Sequence, residues 1–273
     1  MSVFLDALLH SPPRFFGPHR EPVGRPPPPR RRALPQRSYD RAPNDLRPCR
    51  LERNFPSKAP GAVLTHFGET TVLCTATLSE SIPAWLQGSG HGWLTAEYAM
   101  HPAATNGRKS RDGRNGRTDG RSVEIQRLIG RSLRMAVHVK RLPECSIWID
   151  CDVLRADGGT RTAAMTGAWV ALHDLLSKMR DDGRLDTWPL RDRLAAVSVG
   201  LVGGEPLLDL DYSEDSRAEA DMNVVMLESG ELVEVQVSAE KRPLSRAEHD
   251  SLLDLAVQGC RDLFEIQRRT IEG

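Results

Sequence analysis

A glycine-rich turn between a strand pattern and a helix pattern is the stretch of this sequence best suited to chemistry. An apolar run ends at Leu154, Gly158 and Gly159 follow, and Thr160 and Arg161 open a helical pattern. The free backbone N–H groups of a helix start attract anions, and glycines let the backbone approach an anion closely. A guanidinium group matches phosphate oxygens, and a hydroxyl adds a further donor. We therefore predict a phosphate site at Gly159, Thr160 and Arg161, although the stretch alone also fits a plain turn before a capped helix.

A run of carboxylates in the second half of the chain is the other chemical signal. Asp209, Asp211, Glu214 and Asp215 lie close together, and Asp221 follows shortly after them. Asp215 and Asp221 are predicted on the connection between two strands, where clustered carboxylates hold hydrated Mg²⁺ or act as acid and base. We predict that these two aspartates are catalytic and bind the metal. The alternative is that the carboxylates cap turns and solvate a loop.

A basic, glycine-rich segment over residues 101–120 contains almost no apolar side chains. It is predicted to be a long exposed loop, and ordered loops of this length usually have a function. Arg121 follows it and opens the next helix pattern, so its guanidinium is predicted to lie beside that helix's N-terminus. Four arginines of the loop are predicted to bind a polyanion, namely Arg108, Arg111, Arg114 and Arg117.

The charges are unevenly distributed although the formal net charge is zero. Residues 101–141 contain eleven Lys and Arg against three acidic residues, whereas residues 201–240 contain eleven Asp and Glu against one Arg. A polyanion surface and a separate metal or acid–base surface account for this asymmetry; two solvated faces that neutralise each other are the alternative. A phosphate site, a divalent metal and a polyanion surface together suggest phosphorolysis of RNA. Inorganic phosphate would attack the last phosphodiester at a 3′ end and release a nucleoside diphosphate.

The composition is that of an ordinary soluble protein, because 39% of the 273 residues are hydrophobic and 27% are charged. No apolar run approaches the ~20 residues that a membrane span needs, so no membrane partner is expected. The five cysteines are odd in number and show no Cys-x-x-Cys spacing. They argue against a disulfide framework or a zinc site and favour a reducing cytoplasm. Cys74 and Cys151 lie in apolar strand patterns and are predicted in the core.

Residues 1–38 are predicted to form a disordered tail, since Pro and Arg dominate and little apolar surface can be buried. The tail fits an RNA-binding extension, an organelle-targeting segment or a translation start placed too far upstream, and the sequence leaves these alternatives open. Strand and helix patterns then alternate over residues 39–180 and, after a linker, over residues 190–273. This order predicts an α+β protein with two similar lobes.

The individual elements follow from periodicity and turn residues. Strands are predicted over residues 62–66, 71–77, 92–98, 146–154, 194–202, 206–212, 222–227 and 232–237. Helices are predicted over residues 122–139, 160–179 and 245–266. Ser245 and Glu248 have the spacing of a capping box at the start of the last helix.

Many segments, in order along the chain, resemble the family of bacterial ribonuclease PH, the tRNA nucleotidyltransferase. The resemblance runs from about Arg37 to near Gln267. It is carried by Leu46-Arg47-Pro48, Thr95-Ala-Glu-Tyr98, Glu124-Ile-Gln-Arg-Leu-Ile-Gly-Arg131, Asp150-Cys-Asp-Val-Leu154, Ala156-Asp-Gly-Gly-Thr-Arg-Thr162, Ala195-Ala-Val-Ser-Val-Gly200, Glu214-Asp-Ser216 and Asp221-Met-Asn-Val-Val-Met226.

The resemblance implies a first lobe like domain 2 of ribosomal protein S5, followed by a related C-terminal lobe. It also implies a homo-hexamer built as a trimer of dimers, and phosphate-dependent 3′→5′ trimming of tRNA precursors, with nucleotide addition as the reverse reaction. Mg²⁺ and inorganic phosphate are the expected cofactor and co-substrate, and tRNA and other RNA 3′ ends are the expected partners. The family's phosphate-binding residues fall on Arg121, Gly159, Thr160 and Arg161, and its paired aspartates fall on Asp215 and Asp221.

The sequence departs from the family pattern in three places. Arg155 stands where the family usually has Gln, and Val237 and Lys241 replace glycines. The loop over residues 101–120 keeps its basic character but not its usual sequence. These departures concern the positioning of tRNA rather than the binding of phosphate.

Two other functions are alternatives to an active exoribonuclease. One is a catalytically inactive, RNA-binding ring subunit such as occurs in exosome cores, and the retention of Arg121, Arg161, Asp215 and Asp221 argues against it. The other is a nucleotide kinase that would use Gly158 and Gly159 as a phosphate loop. It is disfavoured because the Gly-Lys-Ser/Thr sequence of a P-loop is missing.

Overall fold

Nine strands and four α-helices make up the part of the protein that the computed structural model describes, which is residues 36–112 and 119–273. Most of the predicted tail, as well as Arg114 and Arg117, lies outside these ranges. In chain order the elements are β1 (Cys49–Arg53), β2 (Gly61–Phe67), β3 (Thr70–Ser79), β4 (Trp93–Met100), α1 (Gly120–Met135), β5 (Ser146–Arg155), α2 (Thr160–Asp181), β6 (Leu194–Val202), β7 (Glu205–Leu208), α3 (Tyr212–Asp215), β8 (Ala220–Leu227), β9 (Leu232–Ala239) and α4 (Arg246–Glu272).

The first five strands form one mixed sheet in the order β1-β2-β3-β5-β4. The predicted hairpin of β2 and β3 is confirmed; it turns at Gly68, whose φ of +55° suits a residue without a Cβ. β4 runs parallel to β5. Parallel neighbours need a long crossover, and α1 supplies it. The N-terminus of α1 therefore lies at one end of this sheet.

Helix α2 is buried on nearly all sides because it contacts both sheets of the protein. From Thr160 to Leu172 every residue except Arg161 is buried. Gly167 permits close contact with the first sheet, since a Cβ there would lie 1.8 Å from Thr65 Oγ1. On the other side, Thr166 Oγ1 accepts a hydrogen bond from the backbone N–H of Ala196 on β6 at 3.1 Å.

The second sheet is antiparallel, in the order β7-β6-β8-β9. Its first hairpin turns at Gly203 and Gly204, whose φ values of +60° and +80° suit the two central positions of a type I′ turn. The helix α4 packs against this sheet through a buried stripe that includes Leu252, Ala256 and Leu263. One continuous hydrophobic core joins both sheets and both lobes.

The segment that carries the predicted catalytic aspartates differs from the sequence prediction. The strand predicted over residues 206–212 ends at Leu208, because Asp209 adopts a φ of +53° that turns the chain. Asp215 ends the short helix α3, and Asp221 lies inside β8 rather than on the connection before it. The two aspartates thus come from a helix and a strand, not from one loop.

The helix predicted over residues 122–139 ends earlier, at Met135, because the chain then leaves the helix and Val137 forms a β-bridge with Leu190. The last helix, predicted to end at residue 266, continues to Glu272. Its predicted capping box is confirmed, with Ser245 and Glu248 each bonding to the other's backbone.

The folded part begins upstream of the predicted end of the tail at residue 38. Arg37 is already buried, and its Nε donates to Glu214 Oε1 at 2.7 Å. Ser38 Oγ donates to Asp211 Oδ2 at 2.9 Å, and Arg41 Nη2 donates to Glu214 Oε2 at 3.2 Å. These bonds attach the segment before β1 to α3, so Arg37 and Ser38 belong to the folded lobe.

The cysteines are unpaired, and Cys74 and Cys151 lie in the core as predicted. In residues 36–112 and 119–273, none of the helices combines the length with the apolar content that crossing a bilayer demands.

Candidate active site

A cleft of about 490 Å³ opens at the start of α2, between the first turn of α1, the helix α3 and the second sheet. All of the residues that were predicted for catalysis and phosphate binding line it, namely Arg121, Gly159, Thr160, Arg161, Asp215 and Asp221. The structure therefore brings together side chains from four elements and both lobes. The roles of these residues in catalysis and phosphate binding are predictions.

The N-terminus of α2 differs from the other helix starts. Asp119, Asp211 and Ser245 cap α1, α3 and α4 with side-chain acceptors. At α2 the capping position is Gly159, with a φ of +63°, and no side chain within the described ranges caps the first turn. Its backbone N–H groups are thus left for a ligand, and an uncapped helix start on a cleft is suited to an anion.

The two side chains that follow Gly159 are held in place. Thr160 Oγ1 forms a hydrogen bond with the hydroxyl of Tyr98 at 2.9 Å. Arg161 Nη1 donates to Gln236 Oε1 at 2.7 Å. A positioned guanidinium loses less conformational entropy when it binds an oxyanion than a mobile one does. The structure thus presents Arg161 as a preorganised donor.

Arg121 and Arg161 converge on one place, although forty residues of chain separate them. Burial raises the pKa of the Tyr98 phenol, and the charges of both guanidinium groups oppose that rise. The same two charges act on Asp215. Both arginines therefore flank the cleft that the aspartates line.

The two aspartates form a carboxylate pair on the cleft, in which Asp215 is more exposed to solvent than Asp221. Burial raises the pKa of Asp215, and the charges of Arg121 and Arg161 work against this effect. Burial also raises the pKa of Asp221, and the negative charges of Asp215 and Glu240 raise it further. Carboxylates that repel one another in a partly desolvated cleft gain from a bound cation.

The other three carboxylates of the acidic run have structural roles, so Asp215 and Asp221 are the members of the predicted cluster that line the cleft. Asp211 caps α3 by accepting from the backbone of Glu214 at 2.9 Å, and Glu214 accepts from two buried arginines. Asp209 forms a buried ion pair with Arg47, in which Nη2 and Oδ1 are 2.7 Å apart. The turn-capping alternative therefore describes Asp211, whereas Asp209 and Glu214 hold buried arginines.

The Arg47–Asp209 pair also supports the glycine turn before α2. Arg47 Nη1 donates to the carbonyl of Asp157 at 2.5 Å, and Thr70 Oγ1 donates to the carbonyl of Gly158 at 2.7 Å. A Cβ at position 158 would lie 2.6 Å from the carbonyl oxygen of Leu210. Glycine is thus required there because the chain before α3 passes directly against the turn.

Of the predicted RNA-binding arginines, the two that the structure describes are not part of the cleft. Arg108 and Arg111 lie after β4 and do not line it. The charge of Arg111 acts instead on Asp152 of β5. Burial raises the pKa of Asp152, and the positive charge of Arg111 partly offsets this rise. Arg114 and Arg117 lie outside the described residues. RNA binding by this loop stays a prediction.

Sequence reasoning missed a polar row on the floor of the cleft. Ser198 on β6 pairs with Asn223 on β8, which pairs with Gln236 on β9, and all three line the cleft. The available signal was a single polar residue within otherwise apolar strands, such as Ser198 in Leu194–Val202. Glu240, at the end of β9, also lines the cleft and was missed.

The sequence departures lie at the edges of this site. Lys241 lines the cleft, and its Nζ donates to the carbonyl of Arg217 at 2.7 Å, which ties the end of β9 to the chain after α3. Val237 is partly exposed on β9. Arg155, at the end of β5, forms an ion pair with Glu69.

Comparison with known families shows which family the chain belongs to. Residues 45–176 match domain 1 of the 3′ exoribonuclease family, and residues 192–259 match domain 2. The chain belongs to this family, which is the ribonuclease PH family. The predicted α+β fold with two lobes is confirmed.

Solved structures with the same fold include exosome subunits. Rice (Oryza sativa) Rrp46 is 18% identical with a TM-score of 0.71, and the match covers 87% of this chain and 100% of that one. A chain of the Archaeoglobus fulgidus exosome with RNA bound to the active site is 23% identical with a TM-score of 0.71, covering 84% and 92%. A chain of an archaeal exosome core is 22% identical with a TM-score of 0.65, covering 84% and 89%. At these identities the similarity shows the fold.

Proposed function

We propose that this member of the family is a phosphate-dependent 3′→5′ exoribonuclease that trims the 3′ ends of tRNA precursors, as bacterial ribonuclease PH does. The observation that carries the proposal is the convergence of Arg121 and Arg161 with Asp215 and Asp221 in one cleft at an uncapped helix start. The archaeal exosome chain of similar fold with RNA bound to its active site supports RNA as the substrate class.

The proposed reaction uses both arginines and the first turn of α2. Orthophosphate binds at the first turn of α2, between Arg121 and Arg161, and one of its oxygens attacks the phosphorus of the terminal phosphodiester. The bond from that phosphorus to the 3′ oxygen of the preceding nucleotide breaks, and the 3′ oxygen takes a proton. The last nucleotide leaves as a nucleoside diphosphate. The guanidinium groups offset negative charge that builds up in the transition state.

A divalent cation fits the carboxylate pair. Asp215 and Asp221 supply the one or two carboxylates that Mg²⁺ usually takes from a protein. Burial raises the pKa of both, and the charge of Asp215 raises the pKa of Asp221 further, a repulsion that a cation relieves. No larger group of His, Cys, Asp or Glu side chains within the described ranges is arranged as a metal site. Bound Mg²⁺ would shield the negative charge of the scissile phosphate, and water and substrate would complete its coordination.

The proposal extends to assembly and location. A homo-hexameric ring would combine the basic loops of several copies, including Arg108 and Arg111, and would concentrate positive potential where RNA enters. We propose tRNA and other RNA 3′ ends as partners and the cytoplasm as the compartment. Nucleotide addition from nucleoside diphosphates is the expected reverse reaction.

The deciding experiment supplies purified protein with a tRNA that carries a 3′ extension, in Mg²⁺, with and without inorganic phosphate. Nucleoside diphosphates should appear only when phosphate is present. Arg161→Ala should reduce their release by about 10²–10³-fold, since it removes a charged transition-state donor. Arg180→Ala is the matched control, because Arg180 is exposed at the far end of the same helix, about 28 Å away. Release of nucleoside monophosphates, or equal turnover without phosphate, would overturn the proposal.

An inactive ring subunit is the alternative, because two of the chains of similar fold come from exosomes. It predicts that the protein binds the extended tRNA but releases no nucleotide under any phosphate concentration. The same assay therefore separates the two functions.

A further inference from the structure

One hydroxyl group in the cleft has no partner. Ser198 is 7% exposed, and its Oγ is buried without a hydrogen bond in the part of the chain that the structure describes. Its backbone carbonyl, in contrast, accepts from the N–H of Asp209 at 2.7 Å. A buried hydroxyl that lacks a partner is destabilising, and native proteins almost always satisfy such groups with protein, water or ligand.

The position of this hydroxyl indicates what satisfies it. Ser198 lines the cleft, and a Cβ built on Gly159 would lie 3.6 Å from Ser198 Oγ. The hydroxyl is therefore adjacent to the residue that opens α2, on the sheet side of the helix start. Asn223 on β8 and Gln236 on β9 belong to the same polar row, but their strands lie one and two places away from β6 in the sheet. Gln236 Oε1 already accepts a hydrogen bond from Arg161.

We propose that Ser198 is a binding residue for orthophosphate, donating from Oγ to a phosphate oxygen held at the first turn of α2. The inference rests on the phosphate site of the proposed function and adds a donor to it. The uncapped N–H groups and Thr160 approach the anion from the helix, and Arg121 and Arg161 supply charge. Ser198 supplies a donor from β6, the floor of the cleft, so that both lobes hold the nucleophile.

The test compares Ser198→Ala with Ser132→Ala. Ser132 on α1 also has a buried Oγ without a partner, but it does not line the cleft. Each substitution removes the same atom from a buried site, so their difference isolates the effect of position. Initial rates are measured while phosphate and extended tRNA are varied separately. Thermal unfolding is measured with and without inorganic phosphate, in the absence of RNA.

Ser198→Ala should raise KM for phosphate about tenfold, the effect of one hydrogen bond to a charged acceptor. KM for RNA should be unchanged. Without phosphate the unfolding midpoint should be no lower than that of the wild type, because an unsatisfied hydroxyl has been removed. The rise in midpoint that phosphate produces should be smaller than in the wild type. Ser132→Ala should change neither KM nor the phosphate-induced rise.

Two outcomes overturn the inference. One is an unchanged KM for phosphate with an unchanged phosphate-induced rise in midpoint. The other is a higher KM for RNA alone, which would place the hydroxyl against the nucleic acid. The thermal measurement needs no turnover, so it separates this inference from the proposed activity. A wild-type protein that phosphate stabilises, that loses this stabilisation in Ser198→Ala and that releases no nucleotide would support Ser198 as a ligand and reject phosphorolysis.

Discussion

Arg47 and Asp209 form an ion pair whose side chains are only 0% and 1% exposed. In Asp209→Ala, three donors of Arg47 lose their acceptor, namely the backbone N–H at 2.8 Å, Nε at 3.0 Å and Nη2 at 2.7 Å. Breaking such a pair leaves a buried charge uncompensated and costs about 3–5 kcal/mol. That is a large share of the ~5–15 kcal/mol that stabilises a typical protein. At about 2–4 °C per kcal/mol, the unfolding midpoint should fall by roughly 6–20 °C.

Thermal unfolding followed by circular dichroism measures this change. Asp250→Ala serves as the control, because Asp250 pairs with Arg246 on the surface of α4 and its loss should leave the midpoint unchanged. Arg47→Met with Asp209→Asn should recover part of the lost stability, since it removes the uncompensated charge and asparagine tolerates the φ of +53° at position 209. A midpoint for Asp209→Ala within about 2 °C of the wild type, less than one kcal/mol, would refute the reasoning.

The remaining predictions concern the carboxylate pair, the packing of α2 and the phosphate end of the cleft. Burial raises the pKa of Asp221 above its ordinary value of 3.8, so the ionised carboxylate destabilises the folded protein at neutral pH. Asp221→Asn should therefore raise the unfolding midpoint at neutral pH and abolish turnover. The gain in midpoint should be lost below pH 3.8, where Asp221 is protonated in both the folded and the unfolded protein. Gly167→Ala should destabilise by about 1–3 kcal/mol or more in denaturant, because its Cβ would lie 1.8 Å from Thr65 Oγ1. Tyr98→Phe should raise KM for phosphate about 2–10-fold through the lost bond to Thr160.

Each of these predictions has a contradicting result. An Asp221→Asn protein that is less stable at neutral pH would mean that burial and the neighbouring negative charges do not destabilise the ionised carboxylate of Asp221. Gly107→Ala is the control for Gly167→Ala, because a Cβ at position 107 would meet nothing within 4 Å; equal effects of the two changes would contradict the packing. For Tyr98→Phe, an unchanged KM for phosphate would mean that the hydrogen bond with Tyr98 does not position Thr160 for phosphate binding.

The position of Gly159, Thr160 and Arg161 at a helix start was predictable because its determinants are local. Gly159, Thr160 and Arg161 are consecutive, and the strand-turn-helix pattern around them can be recognised without knowledge of the rest of the fold. Pairing Arg121 with Arg161, in contrast, depended on resemblance to a family, since no local rule brings residues of two helices together.

The parts of the site that were missed depend on distant partners. Asp209 looked like a catalytic candidate beside Asp215, and only the fold shows that Arg47, 162 residues away, neutralises it. Glu214 likewise binds Arg37, 177 residues away, which also explains why the folded part begins before the predicted boundary. Ser198 was missed because strand register decides which polar residue faces a cleft.

The burial of α2 between the two sheets determines how the protein unfolds. A helix that is buried on nearly all sides cannot remain folded on either half alone, since separating the sheets would expose apolar residues such as Val170 and Leu172 to water. Heat should therefore melt the protein in a single step rather than lobe by lobe. Cleavage of the peptide chain after the helix, near Gly183, should leave two pieces that stay associated until both denature.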